Sequence, residues 1–407
     1  MADPLKSEAS SIPTPYVLSL AERDRRHAAI RQEMKRLGLD VLVLPATTNR
    51  WEQSMADARY VTGIGGFQTE TFTIFPLDGE PTAYLFNRAP FWRSVNSWIT
   101  DIRDGRNAWA NNLIERLHEL DFVNGTIGIS QLHGTSRTPD GTFPFGTHER
   151  LVQEFPRATV VDATEMMLTL RSVKSLEEVA ALELAASITD KMIDAIQSQA
   201  RPGQTERNAY AAAVHTQISE GSETPTLLII GSGPAVPASQ FVPTNRILGV
   251  GDLIIGEFEA RVGGYGAQIV SPVAVGQPDK SYVATYEVAK NAYEQFLPVF
   301  TAGKTVGELR DAYRDIVKEV GGGQYSTEVP SMHGRGLGDE TPVLLNARDF
   351  TEREEQVLVE NMCFILKPGV KNIETNMRAS IGRTVHVTND GAKPLNRRPF
   401  DLAIGGN

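Results

Sequence analysis

The stretch Gly251-Asp252-Leu253-Ile254-Ile255-Gly256-Glu257-Phe258-Glu259-Ala260-Arg261-Val262-Gly263-Gly264-Tyr265-Gly266-Ala267-Gln268-Ile269-Val270 decides how the chain is read. An apolar run, a glycine-rich turn and a second apolar run predict a β-hairpin, with polar side chains facing inward at Glu257 and Gln268. Two acid-type side chains on neighbouring strands would form half of a metal cage. Here one of the two is an amide.

Outward from the hairpin, the pattern upstream is mixed. Residues 1–18 read as a flexible arm. Residues 20–39 alternate apolar and charged groups at helical spacing and stop at Gly38. Strands are expected at 40–45, 58–62, 71–75 and 82–86, then a helix over 107–120, a strand at 126–130, a helix over 147–155 and a strand at 159–162. This is a smaller α/β domain over 19–165. Residues 165–199 carry the longest helical pattern, with Ser175 as an N-cap and Glu178 three residues on, and Thr205 can cap the next helix. A second domain over 166–407 follows, in which a helix-helix-strand-strand succession occurs twice, suggesting an internal duplication.

The 407 residues are 41% hydrophobic and 22% charged, ordinary for a soluble protein with a sizeable core. A formal charge of −10 with no basic patch argues against nucleic acid as a partner. No stretch approaches the length of a membrane span, and the polar, proline-containing start has no apolar signal core, so the expected location is cytoplasmic. The single cysteine, Cys363, sits in an apolar run and reads as a buried hydrophobe.

Several landmarks arrive in a fixed order: Leu170-Arg171-Ser172-Val173-Lys174-Ser175, Pro202-Gly203-Gln204-Thr205-Glu206, Val242-Pro243-Thr244-Asn245-Arg246, Gly251-Asp252-Leu253, His333-Gly334-Arg335-Gly336-Leu337-Gly338, Lys367-Pro368-Gly369-Val370 and Thr384-Val385-His386-Val387-Thr388-Asn389-Asp390-Gly391. This succession resembles the creatinase/prolidase/aminopeptidase P family. The resemblance implies an α/β (α+β) chain: a smaller amino-terminal α/β domain followed by a pseudo-twofold pita-bread catalytic domain. It also implies a homodimer in which one subunit's amino-terminal domain closes the other's pocket. Metal-dependent members hold two cations with five ligands, and by position those fall on Glu257, Gln268, His333, Lys367 and Gly382. Only Glu257 and His333 retain ligand character, so the expectation is no metal and no cofactor, as in creatinase and ectoine hydrolase. The creatinase histidine is absent, since its place is taken by Pro237-Ala238-Ser239-Gln240-Phe241.

The residues at those positions can still do chemistry. His333 can carry protons near neutral pH, Glu257 can orient it, and Lys367 can stabilise a developing oxyanion. A purely structural Glu257–Lys367 ion pair is the competing reading. Candidate substrate-binding residues are Gln268, Glu340, Arg335, Arg383, Arg378, Tyr265, Trp51 and Phe67, the arginines as receivers of a substrate carboxylate. The other six histidines, His27, His118, His133, His148, His215 and His386, show no ligand spacing. The functional expectation is a metal-independent enzyme cleaving a C–N bond in a small, polar, anionic molecule, outside the metal-dependent peptidases. The alternatives are a metal-independent lyase and a non-catalytic pita-bread binding protein.

Overall fold

The computed structural model describes residues 13, 15–45, 53–67, 69–224, 227–234, 242–327 and 330–406. Contacts divide the chain into two units, one of Pro15–Glu177 with Gly336–Thr341, the other mainly of Glu178–Arg335 and Pro342–Asn407.

In the amino-terminal unit the elements are α1 (Leu20–Leu37), β1 (Val41–Leu44), α2 (Ala56–Thr62), β2 (Thr71–Pro76), β3 (Thr82–Leu85), α3 (Ala89–Val95), β4 (Asp101–Asp104), α4 (Trp109–Glu119), β5 (Thr126–Ile129), α5 (Phe145–Glu154), β6 (Thr159–Asp162) and α6 (Thr164–Ser172). Its six-stranded sheet has the order β4-β3-β2-β1-β5-β6. Alternate strand residues Val41, Val43, Phe72, Ile74, Ile127 and Ile129 bury against Leu113, Leu117 and Leu151 of the covering helices.

Residues 58–62 are helical, where a strand is predicted. Every residue of α2 is buried, so the short apolar run carries no periodicity that separates helix from strand. Its end is set by Gly63, at φ 67°, whose N–H returns to the Arg59 carbonyl. The helical pattern over 165–199 is two helices, the second beginning directly after Ser175, the expected cap position. Val173 turns extended after α6 (φ −98°, ψ 119°), and the Lys174 ammonium donates to the carbonyls of Arg171 and Ser172.

The second unit contains α7 (Leu176–Gln199), α8 (Glu206–Ser219), β7 (Leu228–Gly233), β8 (Leu253–Val262), β9 (Tyr265–Val270), β10 (Val273–Val275), α9 (Lys280–Phe296), α10 (Val306–Val320), β11 (Tyr325–Thr327), β12 (Ser331–Arg335), β13 (Asp339–Leu344), α11 (Ala347–Glu352), β14 (Cys363–Lys367), β15 (Gly369–Asn372), β16 (Arg378–Ser380), β17 (Gly382–Thr388), β18 (Gly391–Pro394) and β19 (Ala403–Gly405). Thr205 caps α8 as expected, accepting from the Asn208 N–H. The predicted hairpin is β8–β9, closed by Gly263 and Gly264 at φ 59° and 87°. The larger sheet runs β13-β12-β14-β17-β9-β8-β10-β19, with β7 on β8 and β18 on β17. Strands from the two halves of the unit therefore meet at the β9–β17 pair. One face of this sheet, through Met332, Phe364, Leu366, Val385 and Val387, packs on Tyr286, Tyr293 and Phe296 of α9 and Leu309, Tyr313 and Val317 of α10.

Candidate active site

The opposite face of that sheet carries the polar side chains. Residues directly paired across strands share a face, as do residues two apart along a strand. The pairs Glu259 with Gln268, Val270 with Gly382, Ile365 with Thr384, His333 with Ile365 and Ser331 with Lys367 are all in register. Gln268 and Thr384 are tied as well, the Gln268 N–H donating to Thr384 Oγ1 at 2.8 Å and that hydroxyl donating to the Gln268 carbonyl at 2.9 Å. Glu257, Glu259, Gln268, His333 and Lys367 thus lie on one face, turned from the apolar core.

Two charge clusters divide this face. The inner one is sealed: Glu259 accepts from Arg261 Nε at 2.7 Å, from Arg335 Nη2 and from Gln268 Nε2 at 3.2 Å. Glu259, Arg261, Arg335 and Gln268 are all buried. Arg335 Nε also donates to the Gly266 carbonyl, and a Cβ at Gly266 would stand 2.4 Å from Arg335 Nη2. That position must be glycine for the arginine to reach the carboxylate. Sequence reading missed Glu259 and Arg261, although a two-residue spacing from Glu257 marks them for the same face.

The outer cluster is open. Lys367 Nζ lies 3.0 Å from Glu257 Oε2, with side chains 11% and 29% exposed. The stem of this lysine fills the space above Gly382, where an added Cβ would stand 2.9 Å from Lys367 Cγ and 2.9 Å from Val270. His333 is buried two register pairs along from Lys367, on the same face.

The strand that presents Glu257 is anchored from behind. Arg246 forms a two-pronged pair with Asp252 at 2.6 and 2.9 Å, just before β8. Glu206 accepts from the backbone and hydroxyl of Ser232 and from the backbone N–H and hydroxyl of Thr244. Burial would raise the pKa of Glu206, but these bonds outweigh it and hold the carboxyl below its ordinary value.

The remaining candidates fall elsewhere. Arg383 is fully buried, donates through Nη1 and Nη2 to the carbonyls of Val270, Gly382 and Pro399 and lies over the Phe400 ring, so its terminal nitrogens serve the backbone, while Nε has no partner among the described residues; burial lowers its pKa. Tyr265 is buried and donates to Glu178 Oε1 at 3.0 Å, which makes it a packing residue. Arg335 serves the Glu259 cluster instead of an open pocket. Arg378 is exposed on β16, in the separate sheet β11-β15-β16. Glu340 lies at the start of β13, whose first three residues group with the amino-terminal unit; it is buried and accepts from Arg171 Nη1 at 2.9 Å, and Arg171 also meets Asp57 at 2.8 Å. Phe67 is 39% exposed in a turn of that unit at φ 51°. Trp51 lies outside the described residues.

A model of metallopeptidase family M24 matches residues 180–389. The chain belongs to metallopeptidase family M24. A creatinase/prolidase N-terminal domain precedes the M24 region over residues 26–173, so the amino-terminal α/β domain and the pita-bread domain are both present. "Probable dipeptidase PepE" of Mycobacterium bovis is 28% identical over 60% of this chain, and the match spans 63% of that relative's length. The Xaa-Pro dipeptidase of Pyrococcus furiosus is 27% identical over 71% of this chain and 78% of its own. In fold, the X-Pro aminopeptidase of Thermotoga maritima superposes with a TM-score of 0.75 at 21% identity, covering 93% of this chain and 99% of that one.

These relatives overturn the expected function. A metal-independent enzyme outside the peptidases, its lyase variant and the non-catalytic binding protein all give way to a family of metallopeptidases whose members are named dipeptidases. The metal that this family name implies does not fit the donor set of this M24 chain. Lys367 and Gly382 bring an ammonium and no side chain to two of the five positions, and the lysine stem fills the room a carboxylate at 382 would need. Among the described residues no group of three or more His, Cys, Asp or Glu is placed to hold a metal ion. No helix among them is long and apolar enough to cross a membrane.

Proposed function

We propose that this M24 chain hydrolyses short peptides on the polar face of the larger sheet, with Lys367, Glu257 and His333 as its working groups. The observation that carries the reading is the Lys367–Glu257 pair, a solvent-reachable cation and anion fixed 3.0 Å apart on the catalytic face of a peptidase fold. A peptide carbonyl needs a positive group at its oxygen as a nucleophile adds, and the Lys367 ammonium supplies one without reorganisation. His333, on the same face, takes the proton from the attacking water and returns it to the leaving nitrogen as the C–N bond breaks. Glu257 holds the ammonium in place.

The relatives' printed names support short peptides as the substrate class. The order of motifs supports a homodimer, one subunit's amino-terminal domain closing the pocket of the other. Amino-acid release from a dipeptide panel tests the activity. Wild type is expected to release amino acids and His333→Ala to lose at least about a hundredfold of the rate. Release that survives this substitution unchanged contradicts the assignment.

A further inference from the structure

We infer that Gln268 is a specificity-determining residue: its side-chain oxygen accepts the N–H of the substrate's amide, and so selects amides that have one. This rests on the proposed peptide hydrolysis and sharpens its substrate class. Gln268 is 1% exposed, and its Oε1 has no hydrogen-bond partner among the described residues. The amide cannot turn to repair this. Glu259 Oε2 accepts from Gln268 Nε2 at 3.2 Å, and the same carboxyl group faces the donor-only guanidinium groups of Arg261 and Arg335, so it is placed as an acceptor on every side. The reverse orientation would set two acceptors face to face. Glu259 is thereby a positioning residue, and Oε1 is left as a fixed acceptor.

The neighbouring row of the same face carries the Lys367 ammonium. The Lys367–Glu257 pair is partly exposed and Gln268 is buried on the adjoining row; in the proposed complex the substrate enters over the pair and meets the acceptor further in. A fixed donor cation followed by a fixed acceptor complements an amide: carbonyl oxygen on Lys367, N–H on Gln268. Water does not compete for the buried oxygen, and a site that hydrogen-bonds a substrate N–H rejects an analogue lacking it far more strongly than a pocket rejects a small change of size. A peptide bond to proline has no N–H. This chain is therefore expected to prefer ordinary secondary amides to Xaa-Pro bonds, unlike the relative named an Xaa-Pro dipeptidase.

The test uses the full chain with glycylglycine and glycylsarcosine, which differ by one methyl on the peptide nitrogen. Turnover and calorimetric binding are both read for wild type and Gln268→Met. Wild type should favour glycylglycine by at least about tenfold. Gln268→Met keeps the volume without the acceptor and should bring the ratio near one. The ratio within one variant does not depend on how much of it folds. Equal handling of the two peptides by wild type, or a preference intact in Gln268→Met, overturns the inference while leaving peptide hydrolysis standing. Selective binding lost in Gln268→Met with no turnover by any form would uphold the inference and overturn hydrolysis. Failure to bind or cleave either peptide overturns both.

Discussion

The side chain of Lys367 occupies the volume above Gly382, its Cγ 2.9 Å from where a Cβ at 382 would stand, while its ammonium reaches Glu257 at 3.0 Å. The two positions are complementary: a side chain at 382 and the extended lysine exclude each other.

Gly382→Ala should therefore destabilise the fold by about 1–3 kcal/mol through overpacking, measured by urea unfolding. Adding Lys367→Ala should recover part of the loss and not all, because Val270 crowds the same point at 2.9 Å. A Gly382→Ala variant as stable as wild type would show that this space is not filled.

Replacing both positions by acids, Lys367→Glu with Gly382→Glu, removes the ammonium and adds two carboxylates beside Glu257 and His333. The double variant is expected to gain a divalent-cation-dependent rise in Tm larger than that of wild type, read by thermal unfolding with and without manganese. An equal response in the two proteins would refute the steric and electrostatic account of these positions.

The sealed cluster behaves differently. Arg335→Met leaves the buried Glu259 carboxylate with one arginine fewer and should cost about 3 kcal/mol. Tyr265→Phe removes the hydroxyl bond to Glu178 and should cost about 1–3 kcal/mol, with little change in kcat/KM, since the ring packs and its hydroxyl faces inward. A large loss of kcat/KM at unchanged Tm would return Tyr265 to the pocket.

Acid sensitivity follows from Glu206. Its carboxyl titrates lower when folded than when unfolded, so the unfolded chain binds more protons in that range and stability falls with pH. The contribution is whole above the unfolded value of about 4.3 and is lost as pH drops through the folded value. The Tm gap between wild type and Glu206→Gln should be widest near neutrality and narrow steadily below about pH 5. A gap independent of pH would mean that the Ser232 and Thr244 bonds do not depend on ionisation.

Much of this was legible in the chain, though unevenly. The β8–β9 hairpin follows from apolar runs around a glycine pair that tolerates positive φ, and the order of the motifs located Glu257, His333 and Lys367 across separate strands. Residues 58–62 were illegible because a short run buried on all sides has no period. Glu259 was legible by spacing but hidden by the attention Glu257 draws. The reason for Gly382 could not be read locally at all, since it lies in the stem of a lysine on the neighbouring strand β14. For Arg383 and Arg335 the sequence shows that a guanidinium is present, not that backbone carbonyls or a buried carboxylate have already taken its terminal nitrogens, as the carbonyls of Val270, Gly382 and Pro399 have for Arg383 and Glu259 has for Arg335.

The most direct test of the central claim is kcat/KM for a dipeptide with wild type and Lys367→Met, a substitution that keeps the stem over Gly382 and removes only the charge. The account predicts measurable hydrolysis by wild type and a fall of about a hundredfold or more in the variant, at a Tm near that of wild type. Hydrolysis by Lys367→Met at the wild-type rate would contradict it.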